Sequence, residues 1–357
     1  MARAHSNDLG KDRLGPLMVR LALPSIVAQI VNALYNIVDR IYIGHLKPDG
    51  SLALTGLGVS YPVLMLITAL SALVCVGGSA RAAISMGEGR DDRANEILGN
   101  CAALLVVVSV AVTVFFQVFK RPLLLLFGAT ENTLGYASDY LTIYLLGTIF
   151  VQISVGLNYF ISTQGFTTVS MRTVLIGAVI NIVLDPVFIF LFDMGVAGAA
   201  VATVLSQLAS CLYVLRFLFG KSVPIAITFG GYDGRLMLRI LAVGMTPFLI
   251  IGVDNIMIIS MNAILQSYGG AELGDRLVTC ATIAQSFMLV VTMPLDGIAA
   301  GTASILGYNL GAGQPKRILE AQKYTLLLSL AYTTTLCLMG LLLAAPFTHI
   351  FTPDPQI

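Results

Sequence analysis

Polar residues in this chain gather in short clusters between long apolar stretches, the pattern expected of repeated membrane crossings. A helix rises about 1.5 Å per residue and the hydrocarbon core is about 30 Å thick, so about 20 apolar residues make one crossing. The pattern predicts spans near 17–45, 53–80, 95–118, 134–161, 169–192, 195–219, 237–267, 277–304 and 319–346. Turn chemistry punctuates them at Lys47-Pro48-Asp49-Gly50, Gly87-Glu88-Gly89-Arg90, Gly230-Gly231-Tyr232-Asp233-Gly234 and Gly311-Ala312-Gly313-Gln314-Pro315.

The pattern also repeats. One constant offset lays Pro24 on Pro247, Asn32 on Asn255 and Asp39 on Asn262. An offset one residue longer lays Gly77 on Gly301, Gly87 on Gly311, Gly89 on Gly313, Arg93 on Arg317 and Glu96 on Glu320. Six spans fit in one repeat, so both copies cross in the same sense and are related by an axis along the membrane normal, as in transporters that hold substrate between two halves. The expected organisation is a first lobe over 1–220, a linker over 221–240 and a partial second lobe over 241–357. The second copy holds three spans, so symmetry predicts three further helices beyond this sequence.

Composition agrees. Apolar residues make up 57% and charged residues 11% of the 357, and mean hydropathy is +0.88, against about 25% charged in a soluble domain. A net charge of +1 recruits no nucleic acid. Five scattered cysteines and three histidines suggest neither a disulfide framework nor a zinc site. With the N-terminus inside, only Arg40, Lys47, Lys120, Arg121 and Arg276 of the 20 Lys and Arg fall outside, which predicts a cytoplasmic N-terminus. The polar start lacks a cleavage site, so the first span is expected to stay in the protein.

Polar groups inside apolar spans are costly and mark function or helix contacts. The first span carries Gln29, Asn32, Asn36 and Asp39 on one helical face. The fifth holds Gly177, Asn181 and Asp185 at four-residue spacing, followed by Pro186, which frees a backbone carbonyl for an ion or water. The sixth offers Thr203 and Gln207, the fourth Tyr140, Tyr144 and Asn158. Burial and a neighbouring carboxylate both disfavour the charged form, so Asp39 and Asp185 suit carrying a proton or, ionised, holding a sodium ion. In the second copy Asp254, Asn255, Asn262, Gln285 and Asp296 stand in corresponding spans; only one of the adjacent Asp254 and Asn255 can line a cavity. Pro24 and Pro247 predict kinks, static or moving.

At these residues the sequence resembles the multidrug and toxic compound extrusion (MATE) family, in its bacterial DinF/MepA-like branch. Leu23-Pro24-Ser25 with Tyr35-Asn36-Ile37-Val38-Asp39-Arg40 is similar to the family's first helix. Gln164-Gly165, Asn181-Ile182-Val183-Leu184-Asp185-Pro186 and Gly195-Val196-Ala197-Gly198 are similar to its fifth and sixth, and Gly307-Tyr308-Asn309-Leu310-Gly311-Ala312-Gly313 with Arg317 to the loop after its eighth. The resemblance implies an all-α integral membrane bundle of two pseudo-symmetric six-helix lobes, of which about nine helices are present. It implies a monomeric antiporter of the plasma membrane that exports small organic molecules in exchange for H+ or Na+, with no cofactor. The family's coupling cluster maps onto Asp39, Tyr140, Asn158, Asn181, Asp185 and Thr203, its helix-bending proline onto Pro24, and a sodium ion would sit at Asp39, Asn181 and Asp185. The sodium-linked acidic residue of other members falls near Asn255, which is not acidic. Alternatives are a flippase for lipid-linked oligosaccharides, which would need a more cationic cavity, an intramembrane aspartyl enzyme, and a fragment that transports nothing.

Overall fold

The computed structural model describes residues 7–46, 50–220 and 223–351, with only some of the side chains between 255 and 290 and none beyond Leu342. The described elements are α1 (Leu14–Gly44), α2 (Gly50–Gly87), α3 (Asp91–Leu126), α4 (Glu131–Leu146), α5 (Thr148–Thr163), α6 (Thr167–Pro186), a π turn (Val187–Leu191), α7 (Gly195–Leu218), α8 (Gly234–Gly311) and α9 (Pro315–Phe351). Among the described residues seven helical stretches are long and apolar enough to cross a membrane, and the bent pair α4–α5 makes an eighth. Local chemistry sets several ends. Asp91 and Asp92 complement the dipole at the start of α3, and the Asp233 carboxylate caps α8 by accepting from Arg235 N–H at 2.8 Å.

Two expectations change. The span expected over 134–161 is two helices that meet at Gly147 with a 59° bend. The bend is held from α3, whose Thr113 hydroxyl donates to Leu145 O at 2.9 Å and whose Gln117 amide donates to Thr142 O at 2.9 Å. The spans expected over 237–267 and 277–304 form one unbroken helical run, α8. That run doubles back on itself. Gly244 lies against Leu73 and Gly311 against Ile84, both on α2. A straight helix would set these two glycines roughly 100 Å apart, yet their α2 partners are only roughly 17 Å apart along that helix. Both ends of α8 therefore lie along α2, and helical backbone runs through the stretch where a loop was expected; of the two expected crossings, Gly234–Asp254 is long and apolar enough to span a membrane.

Packing bears the sequence repeat out. A Cβ built on Gly87 would stand 1.9 Å from Tyr308 O, and one on Gly311 would stand 1.9 Å from Ile84 O. The repeat offset pairs Gly87 with Gly311 and Ile84 with Tyr308, so this is one contact made twice across a pseudo-twofold axis. Likewise Gly77 meets Ile240 O and Gly244, while Gly301 meets Leu21 and Ala22. Without a hydrophobic driving force between helices in lipid, such close backbone approach is what holds them together. The turns after α2 and α8 match too. Gly89 and Gly313 both have positive φ (72° and 64°), and Arg90 N–H to Ser85 O repeats as Gln314 N–H to Asn309 O.

These contacts gather at one end of the bundle. The first half of α1, the second half of α2 and both ends of α8 meet there, with Leu17, Leu21 and Ile305 wholly buried. Towards the other end α1 presents Ile30, Leu34, Ile37 and Ile41 exposed, along with Asn32 and Asn36. The polar face expected on α1 is thus split: Asp39 is buried, whereas the two asparagines are not.

Candidate cation site in the first repeat

Asn181 and Asp185, one turn apart on α6, are both buried, and the Asn181 amide donates to Asp185 Oδ1 at 3.1 Å. The same amide nitrogen reaches the Thr203 hydroxyl of α7 at 3.5 Å, and Thr203 in turn donates to Ala199 O at 2.9 Å. Just beyond, Pro186 has no N–H to give Ile182 O, and the chain widens into the π turn, closed by Phe192 N–H on Val187 O at 2.9 Å.

Asp39 enters from α1, 8% exposed, within electrostatic range of Asp185 and of Tyr140. Tyr140 on α4 stacks on Tyr144, with ring centroids 5.9 Å apart and planes 17° apart, and its hydroxyl neighbours Thr203. Four helices therefore bring five of the six expected residues together in the half of the bundle away from the closed end. Asp39 Oδ1, Asp185 Oδ2 and Asn181 Oδ1 are all buried and accept no hydrogen bond. Three unsatisfied acceptors and no unsatisfied donor among them match a proton or a small hard cation, both of which need oxygen lone pairs. No group of three His, Cys, Asp or Glu side chains placed to hold a metal ion is present among the described residues.

The sixth residue, Asn158, stands apart. Its amide donates to Ser170 O at 3.3 Å, roughly 16 Å along α6 from Asn181, and its Oδ1 is buried without a partner. Pro24 lies inside an unbroken α1, and the Arg20 carbonyl that it deprives of a donor is reached by the Thr167 hydroxyl at 3.5 Å. In the second repeat Asp254 and Asp296 are exposed, and the side chains of Asn255, Asn262 and Gln285 lie outside the described residues.

Three groups were not picked out from the sequence. Tyr35, one turn before Asp39, is within its electrostatic range; the four-residue spacing was the available signal. Ser154 on α5 donates to Gln207 Oε1 on α7 at 2.6 Å, locking the two helices. Gln152 is fully buried and neither of its amide atoms has a hydrogen-bond partner. Arg40, beside Asp39 in sequence, turns away to lie 5.3 Å from the Tyr61 ring centroid on α2.

An apolar helical bundle built from two repeats, shut at one end, with a buried carboxylate pair towards the other, is a membrane transporter. The MatE family profile matches residues 24–187 and 251–357. The chain belongs to the MatE family, a transporter family and not an enzyme class. It is 25% identical over 354 residues to the FAD transporter of Shewanella oneidensis, covering 96% of this chain and 76% of that protein. It is also 25% identical over 345 residues to the multidrug export protein MepA of Staphylococcus haemolyticus, covering 95% and 74%. Among solved structures it matches the outward-facing conformation of a multidrug resistance MATE family transporter, with a TM-score of 0.87, 26% identity, and coverage of 96% of this chain and 75% of that one.

Proposed function

We propose that this protein exports drugs or other small organic compounds across a prokaryotic plasma membrane in exchange for protons or sodium ions, by alternating access. Its first lobe spans residues 1–220, and 241–357 belong to the second. The Lys and Arg distribution sets the closed end at the cytoplasm, so the open half of α1 faces outward. In that state Asp39 and Asp185 take up a cation, substrate leaves, and the lobes rock to expose the inner side. Asn181, braced by Thr203, holds the Asp185 carboxyl in place, Tyr140 closes the site from α4, and Pro24 supplies the point at which α1 bends.

The observation that carries this reading is the trio of buried, unpaired acceptor oxygens on Asp39, Asn181 and Asp185. One charge moving down 100 mV releases about 2.3 kcal/mol, about a fiftyfold concentration ratio, so one cation per cycle drives useful export. The relatives' names point to two substrate kinds, drugs and a flavin dinucleotide. The test is accumulation of fluorescent organic cations and of FAD in cells carrying Asp39→Asn or Asp185→Asn. Export is expected to fall at least tenfold in each variant. Wild-type export of every substrate in both would remove the carboxylates from the mechanism.

A further inference from the structure

The segments that precede α1 and α8 occupy equivalent places in the two repeats, and each docks on the other repeat. Ahead of α1, Leu9 is buried and its carbonyl accepts from Asn309 Nδ2 at 3.0 Å and from Arg317 Nη2 at 3.1 Å. Arg317 Nη2 also donates to Asp12 O at 2.7 Å, and Gly10 fits against the Tyr308 ring. Ahead of α8, Ala226 N–H donates to Asn95 Oδ1 at 2.8 Å. Asn100 Nδ2 donates to Gly231 O at 3.2 Å, while its Oδ1 accepts from Asp233 N–H, the N-cap of α8, at 3.0 Å. Ile225, wholly buried, gives its N–H to Gln164 Oε1 at 3.0 Å.

We propose that residues 7–12 and 225–233 are reciprocal latches that hold the closed end of the transporter shut, with Arg317, Asn309, Asn95 and Asn100 as their positioning residues. The repeat offset brings Leu9 onto Asp233, so the exchange of partners is symmetric. The clasping side chains are not: Arg317 and Asn309 serve one latch, Asn95 and Asn100 the other. The shared element is the bond across the seam, made with whatever side chain each repeat offers. Leu9 moves with α1 and Arg317 with α9; Asp233 moves with α8 and Asn100 with α3. Any rocking that opens this end must break both sets. The Asn7 amide bond to Gly165 O at 2.9 Å, by contrast, lies within the first repeat and survives the motion. Arg317 clasps its latch with a charged donor that serves two carbonyls at once.

This inference rests on the alternating-access reading, but a distance measurement decides it without any export. Spin labels at Asp92→Cys and Lys316→Cys, both exposed, report the separation of the two repeats at the closed end, with Cys280→Ser and Cys337→Ser removing the exposed native thiols. In nanodiscs Arg317→Ala and Asn100→Ala are each expected to raise the long-distance population about tenfold, equivalent to about 1.4 kcal/mol. Wild-type distance distributions in both variants, at unchanged thermal midpoints, would overturn the proposal. Should either variant misfold, a second experiment keeps the latch intact. Gly10→Cys and Tyr308→Cys, bridged by a short, cleavable thiol-reactive linker, should stop export at least tenfold, with recovery on cleavage. Undiminished export by a fully bridged protein that exports before bridging would equally overturn it.

Discussion

Among the described glycines, Gly244 is the position at which one added methyl group does most. A Cβ there would stand 1.7 Å from Leu73 O and 2.6 Å from Leu73 C. Non-bonded heavy atoms settle at about 3.5 Å, so Gly244→Ala must push α8 and α2 roughly 1.8 Å apart or leave the clash unrelieved. Both contacting atoms are backbone, so no rotamer change relieves it. Overpacking of this kind costs about 1–3 kcal/mol. The lost approach is also one of the small-residue contacts that replace the hydrophobic effect between helices in lipid. Gly252, two turns further along α8, is the internal control, since a Cβ there meets nothing within 4 Å. Alanine at an open helical position is favoured over glycine by about 1 kcal/mol. The two substitutions are chemically identical and should move stability in opposite directions. Thermal midpoints by size-exclusion after heating in detergent should fall for Gly244→Ala and hold or rise for Gly252→Ala. If Gly244→Ala proved as stable as Gly252→Ala, the α2–α8 approach would not be the seal described here.

Two further contacts make sharper local tests. In a double-mutant cycle, Ser154→Ala and Gln207→Leu should couple by about 0.6 kcal/mol, the average for hydrogen bonds between membrane helices; a coupling of zero in unfolding titrations would mean that α5 and α7 are held by packing alone. Thr167→Val removes the hydroxyl that reaches the Arg20 carbonyl left open by Pro24, and should cost about 1 kcal/mol of stability. In a Pro24→Ala background, where the helical donor returns, the same substitution should cost nothing.

Much of this protein is legible in its sequence. Asp185, Asn181 and Thr203 were recognisable because four-residue spacing on an apolar helix puts polar groups on one face, and that face has to meet something. The grouping of Asp39 with them was not a matter of spacing, since α1 is far from α6 in sequence. Asn158 shows the limit: its residue type suits the cluster, but it lies roughly 27 Å of helix beyond Tyr140, and its amide reaches Ser170 instead. Nor could turn chemistry show that α8 turns back along α2 without an intervening loop.

By itself the sequence determined what local physics determines: a membrane as solvent, spans of one crossing each, a repeat with its matching glycine turns, and carboxylates too costly to be incidental. Lipid imposes length and apolarity on every span, and helix periodicity sorts the residues of each span by face. Which faces meet was decided only by the tertiary structure. Helices held by backbone approach at Gly77, Gly87, Gly244, Gly301 and Gly311 rather than by burial of large side chains leave little hydrophobic signature of their partners. The exchange of latch segments across the repeats depends on backbone carbonyls, and every residue type carries one of those.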